Sequence, residues 1–126
     1  MLPIPLYSSG ALSEMSKMSP RYFEIHCASW LESKGYKCSL TRAVGDGNID
    51  IYVYNPNGGL DGIAECKHWR TSVGAGPVKV LHATMISNGY TLGWFFSLNG
   101  FSDGAVRYVN SLRDVQIRLI DGGQMG

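Results

Sequence analysis

Three consecutive strand patterns, followed by two helix–strand units, run along the 126-residue sequence. The first helix is predicted to begin at Ser19-Pro20, an N-cap followed by proline at the first helical position, and to end at Gly35. Further helices are predicted after Gly76-Pro77 and Ser102. Strands are predicted at residues 36–42, 49–54, 62–68, 92–98 and 115–120. The order α-β-β-β-α-β-α-β predicts an α/β fold, in which a three-stranded antiparallel meander continues through two right-handed crossovers into a mixed five-stranded sheet flanked by helices.

One domain accounts for most of the chain, because the length is typical of a single domain and a hydrophobic fraction of 44% can fill one core. Residues 1–18 lack sustained periodicity and suggest a flexible N-terminal arm, or at best one short helical turn around residues 11–17. Residues 122–126 suggest a loose tail, so the domain is expected to span residues 19–123. No apolar run approaches the roughly 18 residues of a membrane span, and no basic leader precedes a short apolar run. We therefore expect a cytoplasmic protein with no membrane partner.

The overall charge does not indicate a nucleic-acid partner, since eleven Lys and Arg residues against ten Asp and Glu residues give a net charge of +1. A DNA partner would need a local positive cluster for contacts with backbone phosphates. The candidates for this role are Arg42, Arg70 and Lys79. Each of them could equally be an ordinary solubilising charge.

The third predicted strand carries a carboxylate and an ammonium group in an apolar setting. Glu65 and Lys67 are two residues apart, so their side chains project to the same side of the strand as Ile63. Placing such charges in an apolar strand is costly unless something uses them. The alternative is a solvent-exposed stripe on an open sheet.

The second predicted strand supplies another carboxylate, Asp50. Strand alternation directs its side chain away from the face assigned to Ile49, Ile51 and Val53. If the hairpin turns between Asn57 and Gly58, Asp50 lies directly opposite Glu65, with Cβ atoms about 4.5–5.5 Å apart. Two carboxylates at this separation repel each other unless a cation lies between them or one is protonated.

Oxygen ligands of this kind suit Mg²⁺, which takes one or two carboxylates together with waters and substrate phosphate. Such an ion would polarise a phosphoryl oxygen and lower the pKa of a bound water, while Lys67 could neutralise developing charge or orient that water. The backbone carbonyl of Cys66 is a candidate further ligand. Glu24 is either a contact to the metal through water or a plain surface carboxylate. Asp46, between two glycines, either supports the site or only forms a turn.

The ordered set of motifs resembles the Mrr-like catalytic domain of the PD-(D/E)XK nucleases, the restriction endonuclease-like superfamily. Asp50 followed by Glu65-x-Lys67 matches the D…(E/Q)xK signature of that superfamily. The resemblance covers about residues 20–123. It is also carried by Phe23-Glu24, Gly35-Tyr36, Gly45-Asp46-Gly47-Asn48-Ile49-Asp50, Glu65-Cys66-Lys67-His68-Trp69, Val73-Gly74, Phe101-Ser102 and Leu119-Ile120-Asp121-Gly122. The sequence departs from the pattern at Ile49, which stands where the signature is named for proline, and at residues 95–100, which are more apolar than expected.

The resemblance implies a restriction endonuclease-like core that cleaves DNA with Mg²⁺, or with Mn²⁺ as a substitute ion. It assigns Asp50 and Glu65 as metal ligands and Lys67 as the catalytic lysine. Cutting both strands of a duplex needs two active sites, so a homodimer or a recruiting partner protein is expected. The leading hypothesis is a metal-dependent DNA endonuclease. The alternatives are a structure-selective nuclease of the junction-resolvase type and a catalytically silent DNA-binding or assembly module.

Overall fold

The computed structural model describes residues 9–41 and 49–125 of the chain. The helices are α1 (Ser9–Ser16), α2 (Pro20–Ser33), α3 (Ala75–Asn88), α4 (Asp103–Ser111) and α5 (Gly122–Met125). The strands are β1 (Lys37–Leu40), β2 (Ile51–Tyr54), β3 (Leu60–Lys67), β4 (Leu92–Ser97) and β5 (Gln116–Asp121). Within these described ranges, none of the helices combines the length and the apolar character needed to span a bilayer.

The described strands form one mixed sheet in the order β1-β2-β3-β4-β5. Strands β1, β2 and β3 pair antiparallel, whereas β4 and β5 join in parallel. Neighbouring parallel strands need a crossover connection, which α3 and α4 supply. The predicted α/β class, with an antiparallel meander followed by two crossovers, is confirmed.

The sheet separates two hydrophobic clusters. The cluster on the α2 side includes Phe23, Cys27, Leu31, Ile51 and Val53. The cluster on the other side joins α3 and α4 to the sheet through Ile63, Val78, Leu81, Met85 and Ala105. Strand β4 contributes to both clusters, since Trp94 and Phe96 belong to the first and Phe95 to the second. Because both faces of β4 are buried, its sequence is a continuous run of apolar residues.

Local capping chemistry sets several of the helix ends. The hydroxyl of Ser19 accepts a hydrogen bond from the Tyr22 N–H, and the hydroxyl of Ser102 accepts one from the Ala105 N–H, each at 3.1 Å. Gly89 ends α3 in the left-handed region, with φ of 76°. These contacts involve neighbours in sequence, so the sequence predicted them correctly.

Both ends of the described chain pack into the core, where the sequence suggested a flexible arm and a loose tail. Helix α1 lies within residues 1–18, and its Met15 is only 2% exposed. Met125 of α5 is buried in the same cluster. At the start of α5, the Gln124 N–H donates to the Asp121 carboxylate and the Asp121 N–H donates to the Gln124 side chain, both at 2.9 Å. These segments are too short to show a periodic pattern, and their contacts with the rest of the chain hold them in place.

The predicted side-chain alternation is wrong at Ile49. This residue packs in the α3-side cluster with Ile63, whereas Ile51 lies in the α2-side cluster. Strand β2 begins only at Ile51, and the preceding Asp50 N–H donates to the Ala64 carbonyl at 3.0 Å. Regular alternation therefore does not extend back through Asp50, and a pattern of period two cannot place Ile49.

Gly62 marks a close approach of β3 to β4. A Cβ atom at this position would lie 2.1 Å from the Leu92 carbonyl oxygen and 3.1 Å from the Trp94 ring. Because neither group can move aside cheaply, we expect Gly62→Ala to lower the free energy of unfolding by about 3 kcal/mol, measured by urea denaturation. Gly76→Ala is the matched control, since a Cβ there meets open space in a helix. Equal unfolding midpoints for the two variants would contradict this account.

Candidate active site

Asp50 meets the last residues of β3 at the place where β2 begins. From Ile51 to Val53, β2 pairs with β3 in the predicted register. The predicted turn is wrong by one residue, since Tyr54 pairs with Leu60 and a bulge between Val53 and Tyr54 shifts the register. The Asp50 Oδ2 atom accepts a hydrogen bond from the Cys66 N–H at 2.7 Å. Strand β3 continues to Lys67, past the point where its pairing with β2 stops. The Asp50 carboxylate therefore accepts the hydrogen bond that a backbone carbonyl of β2 would otherwise accept. The contact holds the Asp50 side chain beside Glu65.

Glu65 is buried although it carries a carboxyl group, with 7% of the residue exposed. Its Oε1 atom lies 3.2 Å from Nζ of Lys67, while its Oε2 atom is buried and meets no hydrogen-bond partner among the described residues. Burial raises the pKa of Glu65 to about 8, and the neighbouring charge of Asp50 adds to this effect. The alternative of a solvent-exposed stripe is therefore wrong for Glu65, because its carboxyl group is buried beside the partly exposed Lys67 ammonium.

Lys67 lines a pocket next to Glu65. Its ammonium group is 5.3 Å from the centre of the Trp69 ring, in addition to its contact with Glu65. The pocket has a volume of about 230 Å³. It is lined by Glu65, Lys67, Trp69, Pro77, Val80 and Leu81. The charged pair of β3 is thus reached from solvent through a pocket whose other wall is helix α3.

Glu24 of α2 is a third carboxylate at the site. Its pKa is raised by burial and, to a smaller extent, by the negative charge of Asp50, so these two carboxylates are neighbours. Arg21 holds Glu24 in place, because its Nη1 atom donates to Glu24 Oε1 at 3.0 Å and to the Thr41 carbonyl at 2.8 Å. Arg21 was not among the residues predicted from the sequence. Its spacing of three residues from Glu24 on one helix is a signal that could have found it.

The other polar residues singled out in the sequence have different outcomes. Arg42 and Asp46 lie outside the described residues. Arg70 is exposed and lines a neighbouring cavity of about 500 Å³. Lys79 lies outside the lining of both cavities, with its ammonium 5.4 Å from the centre of the Tyr108 ring on α4.

The main chain of Cys66 faces the site, and its side chain is packed in the core. The N–H and C=O groups of one strand residue point to the same side, so the Cys66 carbonyl faces the edge at which Asp50 binds the N–H. The thiol is packed in the α2-side cluster against the thiol of Cys27, and burial raises its pKa well above the ordinary value. A buried thiol of this kind is a poor metal ligand. Only the carbonyl of Cys66 is therefore a candidate ligand.

The donor set fits magnesium better than zinc. Within residues 9–41 and 49–125, no group of three or more His, Cys, Asp and Glu side chains is arranged to hold an ion. Asp50 and Glu65 instead offer two carboxylates beside one carbonyl, and Mg²⁺ takes few protein ligands because it keeps several waters. In the part of the chain that the structure describes, no hydrogen-bond donor meets the buried Oε2 atom of Glu65, and a cation would satisfy this polar group.

The raised pKa of Glu65 predicts that the metal-free protein loses stability as the pH rises. The folded-state pKa of about 8 lies above the ordinary value of 4.5, so between these values the folded protein holds a proton that the unfolded chain has released. The free energy of unfolding therefore falls from about pH 4.5 to about pH 8. Glu65→Gln should remove the contribution of Glu65 to this slope, leaving that of Glu24, whose pKa is also raised, and should raise Tm at pH 8, measured by thermal unfolding in EDTA. The exposed Glu32→Gln is the control and should keep the wild-type dependence of Tm on pH. Parallel pH profiles of Tm for wild type and Glu65→Gln would count against the assignment.

Comparisons with known proteins bear on the fold and the family. Solved structures that are similar to this chain include the following three. The protein of unknown function AF1548 is 20% identical with a TM-score of 0.63, over 82% of this chain and 58% of that one. The DNA modification-dependent restriction endonuclease AspBHI is 19% identical with a TM-score of 0.70, over 98% of this chain and 35% of that one. The MspJI restriction endonuclease, solved in complex with a 27-mer oligonucleotide, is 20% identical with a TM-score of 0.64, over 93% of this chain and 30% of that one.

These structural similarities confirm the restriction endonuclease fold, and this chain spans only 30–58% of the length of the three proteins. A comparison with curated proteins found no match. The sequence model of the Mrr catalytic domain, described as restriction endonuclease, matches residues 15–125. Because this match covers most of the chain, the protein belongs to the Mrr-type restriction endonuclease family.

Proposed function

We propose that this chain is a metal-dependent DNA endonuclease that hydrolyses phosphodiester bonds. The observation that carries the proposal is the meeting of Asp50, Glu65 and Lys67, in which a buried Glu65 oxygen has no partner among the described residues. Asp50, Glu65 and the Cys66 carbonyl would hold Mg²⁺, with Mn²⁺ as a substitute ion. A bound ion would supply polarisation of a phosphoryl oxygen and activation of a water molecule for attack.

Lys67 stabilises the negative charge that develops on the phosphate during hydrolysis. Its ammonium group is held by the Glu65 carboxylate at 3.2 Å, so it is in position before a substrate arrives. A fixed positive charge in a partly dehydrated pocket costs no reorganisation when the reaction occurs. The same ammonium can donate a hydrogen bond that orients the attacking water.

Glu24 and Arg21 extend the site on the α2 side. Arg21 fixes the Glu24 carboxylate beside Asp50, where Glu24 would hold a water molecule next to the metal ligands. Arg70 is exposed at the adjoining cavity and would contact backbone phosphates. The position of Lys79 over Tyr108 gives it no part in this proposal.

DNA is the proposed substrate, and the oligonucleotide in the MspJI structure supports this choice. One active site cuts one strand of a duplex at a time. We therefore propose that the isolated chain nicks DNA, and that cutting both strands requires a second copy or a recruiting partner protein.

Incubation of supercoiled plasmid with the protein tests the proposal. We expect conversion to the nicked form in Mg²⁺ or Mn²⁺, and no conversion in EDTA or with Asp50→Ala, because both changes remove the proposed metal site. Products are measured on agarose gels. Binding of DNA without cleavage, across several divalent metals and across duplex, methylated, single-stranded and branched substrates, would favour a catalytically silent module instead.

A further inference from the structure

The pocket beside Lys67 has an apolar wall that phosphodiester hydrolysis does not require. Trp69 is 42% exposed and Val80 is 45% exposed, although both are large hydrophobic residues. They line the same pocket, and that pocket also contains the Glu65–Lys67 pair. Leaving such apolar surface open to water is unfavourable, so its position next to a reactive group points to a ligand.

The wall is held in place by the surrounding structure. The Trp69 carbonyl accepts a hydrogen bond from Asn99 Nδ2 at 2.6 Å, which ties the segment after β3 to the segment after β4. The opposite side is built by Pro77, Val80 and Leu81, which lie at spacings of three and four residues on α3. A stacking surface that is already formed costs little ordering when a ligand binds.

Lys67 connects this wall to the proposed reaction centre. Its ammonium lies between the Glu65 carboxylate and the Trp69 ring, at 3.2 Å from the first and 5.3 Å from the centre of the second. A phosphate that binds this ammonium brings a flat group joined to it against the exposed face of the indole ring. In DNA, the group joined to that phosphate is a nucleoside, whose base has such a face.

The size of the pocket limits what can stack there. The pocket has a volume of about 230 Å³ between Trp69 and helix α3, which is room for one flat group of the size of a base. A base held there has protein on both faces in place of its neighbours in the duplex. A base that enters the pocket must therefore have left the duplex stack.

From these observations we infer that the substrate is DNA with an unpaired nucleotide next to the cleaved phosphate, whose base stacks on Trp69. This inference rests on the proposed function and specifies its substrate class. Unpaired or mismatched bases cost the least to remove from a duplex, so they enter the pocket most readily. Glu65 and Lys67 are the charged groups that line the pocket, and the proposed function engages them with the metal ion and the phosphate, so neither is left to recognise the edge of the base. Stacking here is therefore tolerant of base identity.

Fluorescence of 2-aminopurine tests the inference in a form that does not depend on cleavage. The base is placed beside one phosphate in a single strand, in a mismatched bubble and in a fully paired duplex, with Ca²⁺ in place of Mg²⁺. We expect the wild-type chain to quench the unpaired probe and to bind unpaired DNA at least about 10-fold more tightly than the duplex. Trp69→Ala should lose the quenching and about 5- to 150-fold in affinity, the equivalent of ~1–3 kcal/mol per stacked base.

Companion variants separate stacking from loss of structure. Trp69→Tyr should restore the quenching because it restores an aromatic face, and Val80→Ser should weaken unpaired binding by opening the opposite wall. Ile86→Ser is the matched control, since Ile86 is exposed on the same helix and lies outside the pocket lining. Equal affinity for paired and unpaired DNA, or unchanged quenching in a folded Trp69→Ala protein, would overturn the inference.

The same oligonucleotides in Mg²⁺, analysed on denaturing gels, distinguish this inference from the proposed function. Cleavage without Trp69-dependent quenching rejects the stacking pocket and retains the nuclease. Quenching without cleavage rejects the nuclease and retains the pocket as a site for unpaired DNA.

Discussion

Lys67→Ala lowers the rate of Mg²⁺-dependent DNA cleavage by about 100- to 1000-fold, as expected for loss of a preorganised charge at the reacting phosphate. The ammonium of Lys67 is the positive group in contact with the buried Glu65 carboxylate, and it lines the pocket through which a phosphate would approach. The measurement is single-turnover cleavage of a labelled oligonucleotide. Circular dichroism should show an intact fold, because the Lys67 side chain lies at the end of β3 and is partly exposed.

Two further variants test whether the loss of cleavage comes from the missing positive charge. Lys67→Met keeps the aliphatic stem against Trp69 and removes only the charge, so it should be as inactive as Lys67→Ala. Lys34→Ala removes a lysine at the far end of α2, beside Trp30, and should cleave like wild type. Full turnover by Lys67→Met would remove the lysine from the mechanism.

Asp50→Asn is expected to lose cleavage by at least about 1000-fold, the rate equivalent of ~4 kcal/mol, and yet to unfold at a higher temperature in EDTA. The asparagine oxygen can still accept the hydrogen bond from the Cys66 N–H, so the local geometry is kept. The negative charge is lost, which removes a ligand from the proposed metal site. It also removes the repulsion that helps to raise the pKa of Glu65, so the metal-free site becomes less unfavourable.

These opposite changes separate a metal-binding role from a structural one. Cleavage gels, thermal unfolding in EDTA and calorimetric titration with Mn²⁺ measure the three effects. Asp61→Asn, at the opposite end of β3, is the matched control and should change none of them. A lower Tm together with unchanged cleavage would mean that Asp50 has only a structural role, as the acceptor of the hydrogen bond from the Cys66 N–H.

The fold and the central carboxylates were predictable because local rules govern them. Ser19 and Ser102 cap helices through neighbours three residues away. The β2–β3 hairpin is short, so its loop restricts the pairing register to within about one residue, and the period of two in a strand places Glu65 and Lys67 on one face. The register brings Asp50 near Glu65, whereas the contact of Asp50 with the Cys66 N–H lies beyond the regular part of β2.

The limits of prediction appear where contacts join distant parts of the chain. Met15 and Met125 are buried together, although neither short helix has a pattern that signals burial. Ile49 lies on the unexpected face because the strand ends between it and Ile51. In each case the partner residues are far away in sequence, so no local pattern records them.

The sequence by itself determined the order of the five strands with helices α2, α3 and α4, and the set of Asp50, Glu65 and Lys67, since periodicity and caps act over a few residues. Only the tertiary structure decided how buried Glu65 is, which raises its pKa to about 8 and leaves one oxygen unpartnered among the described residues. It also decided that Arg21 holds Glu24, and that Val80 of α3 faces Trp69 across a pocket. The physical reason is that burial and pocket shape depend on which surfaces exclude water, and those surfaces come from elements that pack together only after the whole chain folds.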